Sequence, residues 1–167
     1  MENDLFKDHN YFNTSHLSLQ YIKAYARIVN VHDGDTITVI MNIFNGYYKL
    51  DIRLIGIDTC EMNSKLDEAK KLAINARNRI LQLIGININI NEELTSKDII
   101  KFLNDKVYIL WIECGDNDKY GRILANVFIN NESIGDILIK EHLAIKYDGG
   151  TKLSEEEQIK ILTAFNL

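Results

Sequence analysis

Asn45-Gly46 divides two segments that alternate like β-strands, and that arrangement constrains the chain more than any other feature. Asn-Gly is a hairpin signal, because tight two-residue turns need positive φ, which these residues tolerate. Upstream, residues 35–42 are β-branched at Thr36, Ile37, Thr38, Val39 and Ile40, and 24–31 reads as an earlier strand broken off at Gly34. Downstream, Tyr48, Leu50, Ile52 and Leu54 alternate with Lys49, Asp51 and Arg53. That is a half-buried strand with Arg53 turned away from its apolar face. Such a hairpin brings two acidic clusters to one end of a sheet: His32-Asp33-Gly34-Asp35-Thr36 and Asp58-Thr59-Cys60-Glu61.

After Glu61 the period changes to that of a helix. Leu66, Ala69, Leu72, Ala73, Ala76, Ile80 and Leu83 place one over about 64–84, capped by Asn63 or Ser64 and ended at Gly85. A second short helix, opened by Thr95 or Ser96, falls within 86–105. Residues 107–113 and 123–129 read as strands, 132–142 as a helix, and Ser154 with Glu157 forms a capping box for a last helix over 154–165. The order β-β-β-α-(α)-β-β-α-α predicts a mainly β fold with attached helices, a small antiparallel barrel of the OB kind. At 167 residues the chain is read as one domain over 23–167, with a helical insertion near 86–105. Residues 1–22 precede it as a loosely ordered arm or short helix.

The net charge of −5 argues against non-specific nucleic-acid binding through a broad basic surface. It leaves room for a nuclease, because a bound cation and two arginines make a local positive site. The polar N-terminus carries no apolar leader, and no apolar run approaches the roughly 20 residues of a membrane span. The expected address is intracellular, cytoplasmic by default, with Cys60 and Cys114 as reduced thiols.

Phosphodiester hydrolysis needs an activated water, neutralised phosphate oxygens and alignment of the two. Asp35 and Asp58 are candidate ligands for a hard cation, Ca²⁺ before Mg²⁺, with the Thr59 carbonyl within reach. Two carboxylates leave coordination positions for water and substrate. Glu61 is a candidate general base, and Arg53 and Arg122 are candidates to grip the phosphate bidentately. Taken singly, each of these residues is more often structural than catalytic. The joint pattern carries the reading, with Arg53 five residues before Asp58 and a Gly-Arg turn, Gly121-Arg122, downstream.

Three motifs together resemble the staphylococcal (micrococcal) nuclease family: Val31 to Thr36, Arg53 to Glu61, and Asp118 to Ala125. The resemblance spans about 24–148, with the motifs in family order. It implies a five-stranded OB-fold barrel and Ca²⁺-dependent, sequence-tolerant cleavage of DNA and RNA, leaving 3′-phosphates. It assigns Asp35, Asp58 and Thr59 to the metal, Glu61 to general-base work, and Arg53 and Arg122 to the phosphate. It also implies that Lys119 and Tyr120 contact a terminal phosphate, and it brings Tyr147 near the position of a nucleotide-stacking tyrosine. Cys60 stands where the family usually has proline, either as a redox-sensitive thiol beside the site or as a plain buried substitution. The reading from a different class is a catalytically silent OB-fold module that binds nucleic acid. The acidic net charge and Cys60 favour it, and the intact set of charged residues opposes it.

Overall fold

The anchoring hairpin joins β2 (Thr36–Ile43) to β3 (Gly46–Leu54), with Ile43 opposite Gly46. The computed structural model describes residues 5–164. Residues 1–4 of the expected arm and residue 165 of the expected last helix lie outside them. The hairpin's two-residue loop is Phe44-Asn45, with φ of 50° and 60°. The tight turn therefore sits one residue earlier than the Asn-Gly dipeptide suggests.

β1 (Lys23–Val31) lies between β2 and β5 (Ile109–Asn117), and β5 pairs with β6 (Ile123–Ile129), all antiparallel. β6 then pairs with the end of β3, Ile52 opposite Ile123, and closes a five-stranded OB-like barrel. This closing pair is parallel, so the barrel is mixed, where the hairpin pattern predicted an antiparallel one. Ile28, Ile37, Val39, Met41, Ile52, Ile112 and Val127 are buried in the core. Each contributes roughly 1.5–3 kcal/mol by leaving water.

Four helices flank the barrel among the described residues. α1 (Asp67–Leu83) starts later than expected, with Leu66 at its N-cap and no side-chain cap. Ser64 does not cap it directly: its hydroxyl accepts from the Leu66 N–H and donates to the Glu155 carboxylate. Gly85, at φ 95°, follows the helix end as expected. α1 presses on the first acidic turn so closely that a Cβ at Gly34 would lie 2.6 Å from the Ala76 Cβ. α2 (Ser96–Asp105) opens with a capping box between Thr95 and Asp98. Its segment packs under the barrel: Ile99 and Leu103 enter the core, and Asn78 donates to the carbonyls of Asn89, Ile90 and Glu92. α3 (Ile134–Lys140) and α4 (Glu155–Thr163) follow, the latter with the Ser154–Glu157 capping box in place.

Two short pairings have no counterpart in the sequence reading. β7 (Glu132–Ser133) extends the sheet beyond β6. β4 (Ile57–Asp58) pairs with β8 (Ile145–Lys146), Asp58 opposite Ile145. The second of these ties the second acidic cluster to the chain's C-terminal quarter.

Candidate active site

Each charged residue singled out above for metal or phosphate work comes from a different edge of the barrel. Asp35 precedes β2, Arg53 ends β3, Asp58 lies in β4 and Glu61 just beyond it. Arg122 immediately precedes β6. One continuous chain of polar contacts joins them. Arg122 Nη1 donates to Thr36 Oγ1 at 3.2 Å, and that hydroxyl donates to Asp35 Oδ1 at 3.0 Å. Arg53 Nη2 meets Asp35 Oδ2 at 3.1 Å and Asp58 Oδ1 at 2.9 Å. Lys152 Nζ then bridges Asp58 Oδ1 at 2.8 Å and Glu61 Oε1 at 3.2 Å.

Arg53 is buried, although strand alternation turns it outward. The outward face is covered at this end of β3: Arg53 Nη1 donates to the carbonyls of Leu54 and Ile57, while Nη2 holds the two aspartates. Three of the five guanidinium N–H groups thereby donate hydrogen bonds, to Leu54, Ile57 and Asp58, and Asp35 adds an ion pair. Asp58 is fully buried, and its second oxygen accepts from Gln158 Nε2 of α4 at 3.0 Å. Thr59 points its amide and its hydroxyl at Asp35 Oδ2, both at 3.2 Å, so these groups orient that carboxylate.

Burial, then the charge of Asp33, pushes the Asp35 carboxyl up from 3.8 to about 6, against the pull of Arg53. Between those values the folded chain holds the proton more tightly than the unfolded chain. Asp35 therefore makes stability fall as pH rises through that window. Asp35→Asn removes this cost. In chelator at about pH 7 the variant is expected to be more stable than the native protein by roughly 1–3 kcal/mol, with the gap closing toward about pH 4. Melting curves across that range check it, and a gap independent of pH would contradict it.

Arg122 is held from behind by Asp118, whose Oδ2 accepts from Nε at 2.7 Å and whose Oδ1 accepts from the Arg122 N–H. Burial alone would raise the Asp118 carboxyl, but the hydrogen bonds and charge of Arg122 and the Tyr120 N–H hold it below the ordinary value. The exposed Tyr120 ring lies 5.0 Å from Lys119 Nζ and 5.7 Å from the Arg122 guanidinium. Tyr147 donates its N–H to the Gly56 carbonyl and its hydroxyl to the Gly150 carbonyl.

Arg53, Lys119, Tyr120, Arg122, Tyr147 and Lys152 are among the residues lining a cleft of about 650 Å³, and Asp35, Asp58 and Glu61 reach it through their contacts with Arg53 and Lys152. The lining carries the cations Arg53, Lys119, Arg122 and Lys152 and the acids Asp118 and Asp148, while Asp35, Asp58 and Glu61 hold Arg53 and Lys152 from beside it. The donor chemistry suits a hard cation. The two carboxylates stand side by side, both in contact with Arg53 Nη2, and positive charge added beside that guanidinium would relieve the raised Asp35. Among the described residues no three His, Cys, Asp or Glu side chains gather as a cage. A cation held at Asp35 and Asp58 would have to take its remaining ligands from backbone, water or substrate.

The sequence model described as staphylococcal nuclease homologue matches residues 51–165. This chain belongs to the staphylococcal nuclease family. Over 143 residues it is 31% identical to a Bacillus subtilis protein named endonuclease YncB, covering 80% of this chain and 57% of that protein. Over 142 residues it is 30% identical to an uncharacterized protein of Methanocaldococcus jannaschii, covering 79% of this chain and 63% of that one. The chain thus spans about 60% of the length of these relatives.

The family match begins at residue 51, so Asp35 lies outside it, and the β2–β3 register, with Thr36 opposite Arg53, carries that residue in. The residues that sequence reasoning missed are Thr36 as a bridge, Lys152 and Gln158. Gln158 is 100 positions from Asp58 and Lys152 is 91 from Glu61, with no local pattern announcing either. Cys60, at the family's usual proline position, is 1% exposed and packs with Ala69, Ala73, Ile145 and Leu162. Burial, with the charges of Glu155, Asp58 and Glu61, pushes its thiol up to about 11, which leaves it protonated and inert. A thiol reagent at about pH 8 is expected to label Cys60 only after unfolding. Labelling of the native protein at the unfolded rate would restore the redox reading.

Proposed function

We propose that this chain is a nuclease that hydrolyses phosphodiester bonds of DNA or RNA with little sequence preference and depends on Ca²⁺. The observation that carries the proposal is the unbroken polar chain from Arg122 through Asp35, Arg53 and Asp58 to Glu61, whose basic members Arg53, Arg122 and Lys152 line one cleft. The endonuclease name of the Bacillus subtilis relative supports the same reading. Asp35 and Asp58 would hold the cation, with the Thr59 carbonyl as the backbone ligand that the family resemblance implies. The chemistry Ca²⁺ supplies when bound is Lewis acidity toward a phosphate oxygen and toward water.

Glu61, half-exposed and paired with Lys152 of the cleft lining, accepts the proton of the attacking water. Arg122 presents a guanidinium oriented by Asp118 to the phosphate oxygens, where charge grows as the bond to the leaving oxygen breaks. With its guanidinium tied to two carbonyls and two carboxylates, Arg53 contributes through its charge, and the bidentate grip falls to Arg122. Lys119 and Tyr120 receive a terminal phosphate, and Tyr147 forms the wall against which a base rests.

Cleavage of single-stranded DNA, duplex DNA and RNA in Ca²⁺, in Mg²⁺ and in chelator tests the proposal. Cleavage in Ca²⁺ that chelation abolishes is the expected result. Binding of these nucleic acids without cleavage under any metal would replace it with the silent binding module.

A further inference from the structure

Lys152 is a third donor on a carboxylate that already has two. Asp58 is satisfied by Arg53 and by Gln158, and Glu61 stands in solvent, so neither acid requires a lysine to be stable in the fold. Lys152 nevertheless reaches both acids from the turn after β8. The turn just before it is braced: the Tyr147 hydroxyl bonds the Gly150 carbonyl, the Gly150 N–H bonds Asp148, and Gly149 takes φ 93°. Its side chain is 46% exposed and held by two ion pairs alone.

The two cations on Asp58 differ in how firmly they are held. Arg53 is 7% exposed at its side chain and fastened by two carbonyls and two carboxylates, so it stays. Lys152 is a point charge on a flexible stem and can leave by side-chain rotation alone. We propose that Lys152 is the exchangeable cation of this site: its ammonium and a divalent cation compete for Asp58, and the displaced ammonium moves into the cleft that it lines, as a phosphate-binding group. This rests on the cation site assigned above to Asp35 and Asp58. Cation binding thereby supplies the cleft with a further positive charge, and metal and nucleic acid assist each other's binding. Any phosphate-bearing segment of the substrate beside Arg122 and Lys119 could receive it.

The test is amine acylation of the whole protein read by peptide mass spectrometry, with and without Ca²⁺, alongside calorimetric titration with Ca²⁺ alone. Lys152 is expected to acylate slowly without Ca²⁺ and several-fold faster at saturation, while Lys70 on the exposed side of α1 does not change. Lys152→Met is expected to bind Ca²⁺ about three- to tenfold more tightly, the worth of a partly exposed ion pair, and Lys152→Arg to return the affinity toward the native value. If native protein binds Ca²⁺, Asp35→Asn abolishes that binding, and Lys152 acylation ignores Ca²⁺, the exchange is overturned and the cation site stands. If Ca²⁺ does not bind, or binds equally to Asp35→Asn, the cation site falls and the exchange with it.

Discussion

Arg53→Ala is expected to destabilise the fold by about 3–5 kcal/mol, the usual consequence of removing one partner from a buried ion pair. Among the described residues the removed guanidinium is the one side chain that pairs with both Asp35 and Asp58, and both carboxylates are buried. Asp58 keeps Lys152 and Gln158, whereas Asp35 keeps only the uncharged donors Thr36 and Thr59 beside the repelling charge of Asp33. Two backbone carbonyls, of Leu54 and Ile57, lose their donor as well. Urea unfolding in chelator measures the loss, and chelator keeps metal binding out of the comparison. Arg53→Lys restores the charge without the planar fork and should recover only part of it. A loss below about 1 kcal/mol would mean that the end of β3 is solvated and that Arg53 is a surface residue.

Arg122→Ala is expected to act on rate and to leave stability almost untouched. Its side chain is 32% exposed, and its partners Asp118 and Thr36 retain other hydrogen bonds. A stability change within about 1 kcal/mol follows. The phosphate, in contrast, loses the bidentate group best oriented toward its developing charge, and arginines in that role are worth on the order of 10³ or more in rate. The two arginines are thus separable: Arg53 is needed for the fold as well as the chemistry, and Arg122 for the chemistry. Their melting temperatures and cleavage rates, measured side by side, check the separation.

Much of this was legible in the sequence because it depends on local period. Alternation placed β1, β2, β3 and β6, helical spacing placed α1, and the Thr95 and Ser154 caps placed the starts of α2 and α4. What was not legible depends on partners. Alternation says that Ile52 is buried but not that β6 lies parallel to it. Two-residue strands such as β4 and β8 have no period to read, yet their pairing delivers the turn carrying Lys152 to Asp58. The Asn45-Gly46 turn was misplaced by one residue because Phe44, against its preference, accepts positive φ when the register of β2 and β3 requires it.

Arg53 shows the same limit at the site. Its outward direction followed from alternation, but the covering turn at 55–58 and the aspartate from another edge turned an outward face into a buried one. The acidic pair, both arginines and Glu61 were visible as residue types at suggestive spacing. Their connection through Thr36 and Lys152 required the barrel to close.

The most direct measurement is cleavage of a single-stranded DNA oligonucleotide by native protein and Arg122→Ala, purified in parallel and assayed in Ca²⁺ and in chelator. Ca²⁺-dependent cleavage by the native protein, falling about 10³-fold in the variant without loss of folding, is the expected result. Equal cleavage by both proteins, or cleavage that survives chelation, would contradict a cation-dependent phosphodiesterase centred on Asp35, Asp58 and the two arginines.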